Sequence, residues 1–279
     1  MKESREDRKP VEIRILGQLE AWESGTSVLP TAGKPRQILA LLALNRGQVV
    51  TAAALAEELW NGNPPRSAST TLQTYILQLR RKLDSARGLT LKRTGKDVLV
   101  TRHIGYQLQM SDVEVDAWEH ERLVAAGRRA VDEHDDARAA QLLSKALNLW
   151  RGAALVDVPT GPLLELEVMR LEHLRLCAAE MRIEAELRLG RHQTLLGDLA
   201  VLCAQHPLNE NLQIHYMLAL YRSGRQWQAL TVYRQLRHTL DLELGVEPCP
   251  RAQQMMRAIT ASDPTLDQVL HPALGRLVG

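Results

Sequence analysis

The stretch PPRSASTTLQTYILQLRRKL, residues 64–83, decides how the N-terminal part of the chain folds. Its two prolines end any preceding helix, and the residues that follow repeat apolar side chains at helical spacing, which predicts a helix over 67–83. At 100° per residue, one side of this helix collects the side chains that should face a core. They are Leu72, Tyr75, Ile76, Leu79 and Leu83.

The opposite side of this helix is polar and contains no carboxylate, because no Asp or Glu occurs between residues 67 and 83. In a DNA major groove, Gln can pair with adenine, Arg can pair with guanine, and Thr or Leu can contact the thymine methyl. An ordinary solvated face is the alternative, but such faces are usually richer in Glu. We therefore predict that DNA bases are read by Thr70, Gln73, Thr74, Leu77, Gln78 and Arg81.

The segments on either side predict a small mixed domain. Before the helix, short strands at 11–15, 19–22 and 28–29 indicate an antiparallel sheet, and helices are expected at 34–45 and 52–60, the second opened by Thr51. After it, strands at 89–93 and 98–102 are expected to form a hairpin around a basic turn at 94–97, followed by a strand at 106–108. Strands, three helices and a hairpin in this order predict a winged helix-turn-helix.

The basic residues are concentrated in this region. Residues 1–110 hold 17 Lys and Arg against 10 Asp and Glu (+7), whereas residues 111–279 hold 18 against 23 (−5). A cationic region of this kind suits a polyanionic partner, and phosphate contacts release counterions. We predict phosphate contacts from Arg36, Arg66, Ser67, Thr71, Arg80, Lys82, Arg93, Lys96, Arg102 and His103.

The rest of the chain predicts only helices, over 115–133, 135–149, 163–189, 193–205, 209–222, 226–244 and 251–259. The segments LRLGR (187–191) and YRSGR (221–225) are 34 residues apart, and an amphipathic helix follows each. Thirty-four residues is the tetratricopeptide period, in which helical hairpins stack to bury a common core. The domains are therefore expected to be a flexible leader at 1–10, a winged helix at 11–110, an all-helical tetratricopeptide-like domain at 111–260 and a tail at 261–279.

Several motifs resemble known regulators. TTLQTYILQLRRKL (70–83) and IGYQL (104–108) resemble the DNA-binding domain of OmpR-type response regulators. KPRQILALLAL (34–44), ELW (58–60) and PPRSA (64–68) resemble the actinobacterial antibiotic regulatory proteins, the SARP family. HPLNE (206–210), LALYRSGR (218–225) and LELGVEP (242–248) resemble the bacterial transcriptional activation domain of that family.

The resemblance implies a transcriptional activator of an antibiotic biosynthetic cluster. Such a protein is expected to bind direct repeats upstream of promoters as a dimer on double-stranded DNA, and to recruit RNA polymerase holoenzyme. By the same resemblance, the loop before the reading helix is a candidate polymerase contact, through Asn61, Asn63 and Arg66. The competing hypothesis is a helical-repeat scaffold that binds nucleic acid without choosing a sequence.

Other classes of function find little support in the sequence. Three isolated cysteines and nine histidines lack metal-binding spacing, and AGKP (32–35) departs from a phosphate loop, so no metal, cofactor or enzymatic activity is expected. No apolar run is long enough to span a membrane, and no export signal is recognised at the N-terminus. We therefore expect a cytoplasmic, nucleoid-associated protein without a membrane partner.

Overall fold

The computed structural model describes residues 10–85 and 94–267. The predicted leader up to residue 9, the predicted strand at 89–93 with Arg93, and the tail beyond residue 267 lie outside the described residues. The chain divides into two compact units. The first unit contains the residues up to Leu123 together with Ala146–Arg175, and the second contains Val124–Lys145 and the residues from Leu176 onward.

The first unit begins with alternating strands and helices. The strands are β1 (Val11–Arg14), β2 (Glu20–Glu23), β3 (Thr26–Ser27), β4 (Val50–Thr51), β5 (Leu99–Arg102), β6 (Gly105–Leu108) and β7 (Val113–Val115). The helices in the same stretch are α1 (Gly33–Leu44), α2 (Ala52–Trp60), α3 (Ala68–Ser85) and the single turn α4 (Gly95–Val98). The three predicted helices are therefore confirmed as α1, α2 and α3, within two residues at each end. Their apolar residues recur at helical spacing, which is the signal that predicted them.

Two sheets frame these helices. One has the strand order β3–β2–β1–β7, with Ile13 of β1 opposite Ala21 of β2 in antiparallel register. Its last pair is parallel and sets Val11 opposite Val113. The prediction that every element from residue 113 onward is helical is thus wrong for β7. The partner strand lies about a hundred residues earlier, so local spacing could not reveal this pairing.

The second sheet has the order β4–β6–β5 and contains the hairpin. Its turn lies at His103 and Ile104, because Arg102 pairs with Gly105. The predicted turn at 94–97 is wrong: the Asp97 carboxylate accepts hydrogen bonds from the Thr94 amide (2.7 Å) and hydroxyl (3.0 Å), and this capping closes the helical turn α4.

The remaining helices match the sequence prediction within two residues at each end. The largest difference is in α6, which ends two residues before the predicted end at 149. They are α5 (Asp116–Asp132), α6 (Asp136–Leu147), α7 (Pro162–Arg188), α8 (His192–Gln205), α9 (Glu210–Arg222), α10 (Gln226–Leu244) and α11 (Pro250–Thr260). The residues of α5, α6 and α7 are each divided between the two units.

The segment between α6 and α7 belongs to the first unit and completes its core. The Arg151 amide donates to the Leu16 carbonyl (2.8 Å) and the Leu155 amide to the Ile15 carbonyl (3.0 Å), which fixes the segment to the end of β1. Leu155 of this segment and Leu164 at the start of α7 are buried in the same apolar cluster as the buried side chains of α3. The winged-helix region is thus packed together with residues that follow it by forty positions or more.

The second unit is built from neighbouring helical hairpins. Helices α8, α9, α10 and α11 pack in succession, around buried side chains such as Leu199, Leu212 and Leu236. Gly190 and Gly224 both adopt left-handed backbone, with φ of +74° and +72°, just after a helix ends. Each therefore turns the chain into the next helix, as the 34-residue spacing indicates.

Candidate nucleic-acid interface

Helix α3 presents its polar side to solvent. All six residues predicted to read bases are exposed, including Leu77, an apolar side chain that keeps 44% of its surface accessible. The Thr74 hydroxyl donates to the Thr70 carbonyl at 3.0 Å, so its hydrogen is used within the helix while its oxygen can still accept a hydrogen bond. The first carboxylate in the helix is that of Asp84, and it accepts a hydrogen bond from the Gly95 amide at 2.5 Å. The six positions form a continuous, carboxylate-free surface.

The other side of α3 fixes this surface in place. Leu72, Ile76, Leu79 and Leu83 are buried in the core of the first unit, and Tyr75 is half-buried against it. Because apolar side chains at this spacing lock the rotation of a helix, the reading positions cannot turn inward without exposing the core.

The hairpin lies beside α3 and is joined to it by Arg80. The guanidinium of Arg80 donates to the Leu99 carbonyl from Nε (3.0 Å) and Nη2 (2.7 Å), and to the Thr101 hydroxyl (2.7 Å). Burial lowers the pKa of Arg80, and the nearby Tyr106 works in the opposite direction. Arg80 therefore links helix and hairpin within the fold, and the phosphate contact predicted for it from the sequence stays a prediction.

The tip of the hairpin is held against the start of α2. The Ala52 amide donates to the Ile104 carbonyl at 2.9 Å. Gly105 approaches β4 so closely that a Cβ there would lie 2.0 Å from the Val50 carbonyl oxygen. Arg102 and His103 extend from this anchored turn and are exposed, and Arg102 donates to the Gln107 side chain at 2.6 Å.

Other predicted phosphate contacts are divided between the solvent and the fold. Arg66, Ser67, Lys82 and Lys96 are exposed, and Thr71 is half-buried one turn into α3. Arg36 is different, because its guanidinium is paired with the Asp157 carboxylate in the segment that completes the first unit. Arg93 lies outside the described residues.

The loop between α2 and α3 carries the predicted polymerase contacts. Asn61 adopts left-handed backbone (φ +45°) and ends α2, and the Asn63 side chain donates to its carbonyl at 3.4 Å. Asn61, Asn63 and Arg66 are all exposed, as is every residue of 61–67. The loop therefore offers its polar groups to a partner without disturbing the core.

One important contact of this region was not predicted from the sequence. Glu58 in the last turn of α2 is only 2% exposed, and its carboxylate accepts hydrogen bonds from the amides of Gly161, Leu163 and Leu164. Its spacing of three residues from Leu55 could have signalled a position on the buried face. The identity of its partners, a hundred residues away, carries no signal in local sequence.

Among residues 10–85 and 94–267, no group of histidine, cysteine and acidic side chains could hold a metal ion. In the same part of the chain, no helix is long and apolar enough to cross a bilayer. Cys203 is buried, which raises the pKa of its thiol to about 12, and Cys177 and Cys249 are partly buried.

Comparison with protein families assigns both regions. Residues 26–108 match the family described as transcriptional regulatory protein, C terminal, and residues 115–260 match the bacterial transcriptional activator domain. The first of these matches spans α3 and the hairpin. The second spans α5 to α11 and includes the segment that completes the first unit.

Individual proteins show the same similarity. Regulatory protein DnrI of Streptomyces peucetius is 48% identical over 258 residues, which cover 92% of this chain and 95% of that protein. Regulatory protein AfsR of Streptomyces coelicolor is 35% identical over 265 residues, which cover 95% of this chain and 26% of that protein.

A solved structure agrees in fold. The structure of Mycobacterium tuberculosis EmbR in complex with a low affinity phosphopeptide superposes with a TM-score of 0.84 and 29% identity, covering 97% of this chain and 70% of that chain. Because both family models match and similarity extends over nearly all of DnrI, the chain belongs to the SARP family of DNA-binding transcriptional regulators, which are not enzymes.

Proposed function

We propose that this regulator is an activator that binds direct repeats upstream of promoters in an antibiotic biosynthetic gene cluster and recruits RNA polymerase holoenzyme. The observation that supports the proposal most strongly is the exposed, carboxylate-free face of α3, which carries amide, hydroxyl and guanidinium groups beside a cationic hairpin tip. These groups match the donors and acceptors at base edges in the major groove. A protein with this role acts on the nucleoid in the cytoplasm.

Direct repeats imply how two copies would be arranged. Repeats spaced by about one helical turn of DNA, roughly 10–11 base pairs, place successive reading helices on the same side of the duplex. Two copies would then follow each other in the same orientation, which favours cooperative occupancy as a dimer on DNA.

Selection of bound sequences from a random DNA pool, followed by footprinting on promoters of the neighbouring biosynthetic genes, tests the reading of sequence. We expect a recovered motif that recurs as a direct repeat and is protected in the promoters. A scaffold with non-specific nucleic-acid binding would instead recover no motif and would bind all DNA weakly, with an affinity that disappears as salt is raised.

Recruitment of polymerase is tested separately on the loop between α2 and α3. Asn63→Ala and Arg66→Ala should reduce promoter-dependent transcription in a purified system when each is compared with wild type at protein concentrations that footprinting shows to give equal operator occupancy. Lys145→Ala, an exposed lysine of the second unit, is the matched control for a lost surface group. Unchanged transcription by both loop variants would remove the loop from the proposal.

A further inference from the structure

We propose that the N-terminal end of α7 is a positioning element of the DNA reader and that it acts through the carboxylate of Glu58. Glu58 is the positioning residue: it contacts no DNA, but it fixes the last turn of α2, from which the loop and the reading helix follow. The inference rests on the proposed function as a sequence-specific DNA binder.

The carboxylate of Glu58 is fully engaged. Oε1 accepts from the Gly161 amide (2.6 Å) and the Gln37 side chain (2.8 Å), and Oε2 accepts from the amides of Leu163 (2.9 Å) and Leu164 (3.1 Å). The first helical residue of α7 is Pro162, which has no amide hydrogen. The free amides at the start of α7 therefore converge on one buried negative charge, the ligand that a helix N-terminus favours.

The backbone of α2 is held at the same point. The Gln37 side chain also donates to the Glu58 carbonyl at 2.9 Å. Gly161 lies so close that a Cβ there would be 2.1 Å from that carbonyl oxygen, so only glycine fits. Trp60 follows Glu58 by two residues in α2, and the ammonium group of Lys34 in α1 lies 4.8 Å from the centre of its ring. The last turn of α2 is thus held in place by contacts from both α1 and the start of α7.

These contacts of α2 affect the recognition of bases because the loop between α2 and α3 has no buried residue that could position α3. Every residue of 61–67 is exposed, and α3 begins at Ala68. The start of α3, with Thr70 and Thr71, is therefore located by the end of α2 and by the core contacts of α3 itself. A buried carboxylate that loses its donors is strongly destabilised, so α2 cannot shift while α7 stays in place. The resulting precision suits hydrogen bonds to bases, which tolerate displacements of only a fraction of an ångström.

Glu58→Gln tests this with little change of shape. The glutamine loses the charge and turns an NH₂ group toward amide donors that it cannot pair with. We expect the ratio of affinity for the operator, defined by the selection above, over affinity for random DNA to fall by about 10-fold, comparable to one lost base contact. Glu57→Gln is the matched control, because Glu57 is the exposed neighbour on the same helix and should keep the wild-type ratio.

Gly161→Ala tests the same contact from the other side. It lies in the region matched by the bacterial transcriptional activator domain, yet it should lower the operator ratio as Glu58→Gln does. Gly152→Ala is its control, because a Cβ at Gly152 meets no atom closer than 4.0 Å. The double variant of Glu58 and Gly161 should lose little more than either single variant, since both remove one shared contact.

The outcomes separate the two levels of the proposal. All ratios of operator affinity to random-DNA affinity are measured at a temperature where thermal unfolding shows each variant to be folded. A purely structural role of Glu58 would lower the melting temperature of the variants and leave these ratios unchanged. If wild type discriminates the operator and both Glu58→Gln and Gly161→Ala keep its ratio, the positioning role is wrong while the proposed function stands. If wild type itself shows no preference, the proposed function fails, and the positioning role fails with it.

Discussion

The second unit differs from the reading surface, which we define as the exposed side of α3 with the cations beside it, in how its arginines are paired. Elsewhere in the first unit arginines are also paired, for example Arg36 with Asp157 and Arg151 with Glu20. In the second unit, arginines form ion pairs with carboxylates of the same unit, and these pairs are Arg138–Glu133, Arg182–Asp198, Arg188–Asp136, Arg188–Glu184, Arg191–Glu186 and Arg237–Glu247. Within the described part of the chain, the exposed cations of the reading surface form no such ion pair, and these are Arg66, Arg81, Lys82, Lys96 and Arg102.

The difference distinguishes a surface whose charges are neutralised within the fold from a surface whose cations are available to bind an anionic partner. A cation paired within the fold is already neutralised, whereas an unpaired row of cations on a carboxylate-free surface keeps a counterion atmosphere that DNA phosphates can displace. Five of the 17 Lys and Arg of residues 1–110 are these exposed cations of the reading surface. Helix α3 shows the division most clearly, because one side maintains the fold and the other is free for the duplex.

The largest expected effect separates these two sides of α3 at adjacent residues. Ile76→Ala should destabilise the first unit by about 2–5 kcal/mol, because it opens a cavity in a tightly packed core. Leu77→Ala should leave stability within about 0.5 kcal/mol of wild type and weaken operator binding instead. Chemical denaturation and gel-shift titration of both variants measure this. Similar stability losses for the two would contradict the orientation of the helix.

The second unit should instead reveal its buried histidine through pH. Burial lowers the pKa of His215 to about 4, with Glu184 acting to raise it and Arg251 and Arg188 to lower it further. A folded-state pKa below the usual 6.5 means that unfolding takes up a proton. Stability is therefore fully present above pH 6.5 and is lost as pH falls toward 4, by up to about 3 kcal/mol.

His215→Leu provides the control for this pH dependence. Leucine has no titrating group and replaces a ring whose Nδ1 has no hydrogen-bond partner among the described residues. Its free energy of unfolding should vary less between pH 6.5 and 4 than that of wild type. An equal pH dependence in both proteins would assign the effect to other groups.

A smaller effect is expected where DNA is read. Arg81→Ala should cost about 1–3 kcal/mol of discrimination at one base pair and relax the choice of base there. Lys82→Ala, its exposed neighbour, should weaken operator and random DNA alike and reduce the slope of log affinity against log salt by about one unit. Equal losses for both variants on both DNAs would show that the two residues do not divide these roles.

The smallest expected effect lies in a paired charge of the second unit. Asp198→Asn removes the carboxylate that pairs with Arg182 and should change stability by less than about 1 kcal/mol, because exposed ion pairs contribute little in water. Operator affinity and its salt dependence should not change. A clear loss of DNA binding by this variant would contradict the contrast between the second unit and the reading surface.

Much of this arrangement can be predicted from local spacing. The buried and exposed sides of α3 follow from helical periodicity, and the helices of the second unit follow from breakers such as Gly190 and Gly224. Both depend on residues within one or two turns of each other. Local spacing was misleading at 94–97, where the Thr94–Asp97 capping favours a helical turn over a hairpin turn.

Contacts between distant residues could not be predicted in this way. The strand β7 pairs with β1, and Glu58 binds the start of α7, across about a hundred residues in each case. A single valine-rich triplet or a single glutamate on a buried face is compatible with many partners. Only the assembled core selects one, because burial requires each polar group to find a donor or acceptor.

Replacement of operator guanines by 7-deazaguanine tests most directly whether α3 reads bases in the major groove. This change removes the N7 acceptor and leaves the minor groove intact. We predict that wild type loses operator preference at one or more guanines and that Arg81→Ala is insensitive to the replacement at the guanine it reads. If wild type binds the replaced and natural operators equally at every guanine, the assignment of Arg81 and its face of α3 to base reading is contradicted.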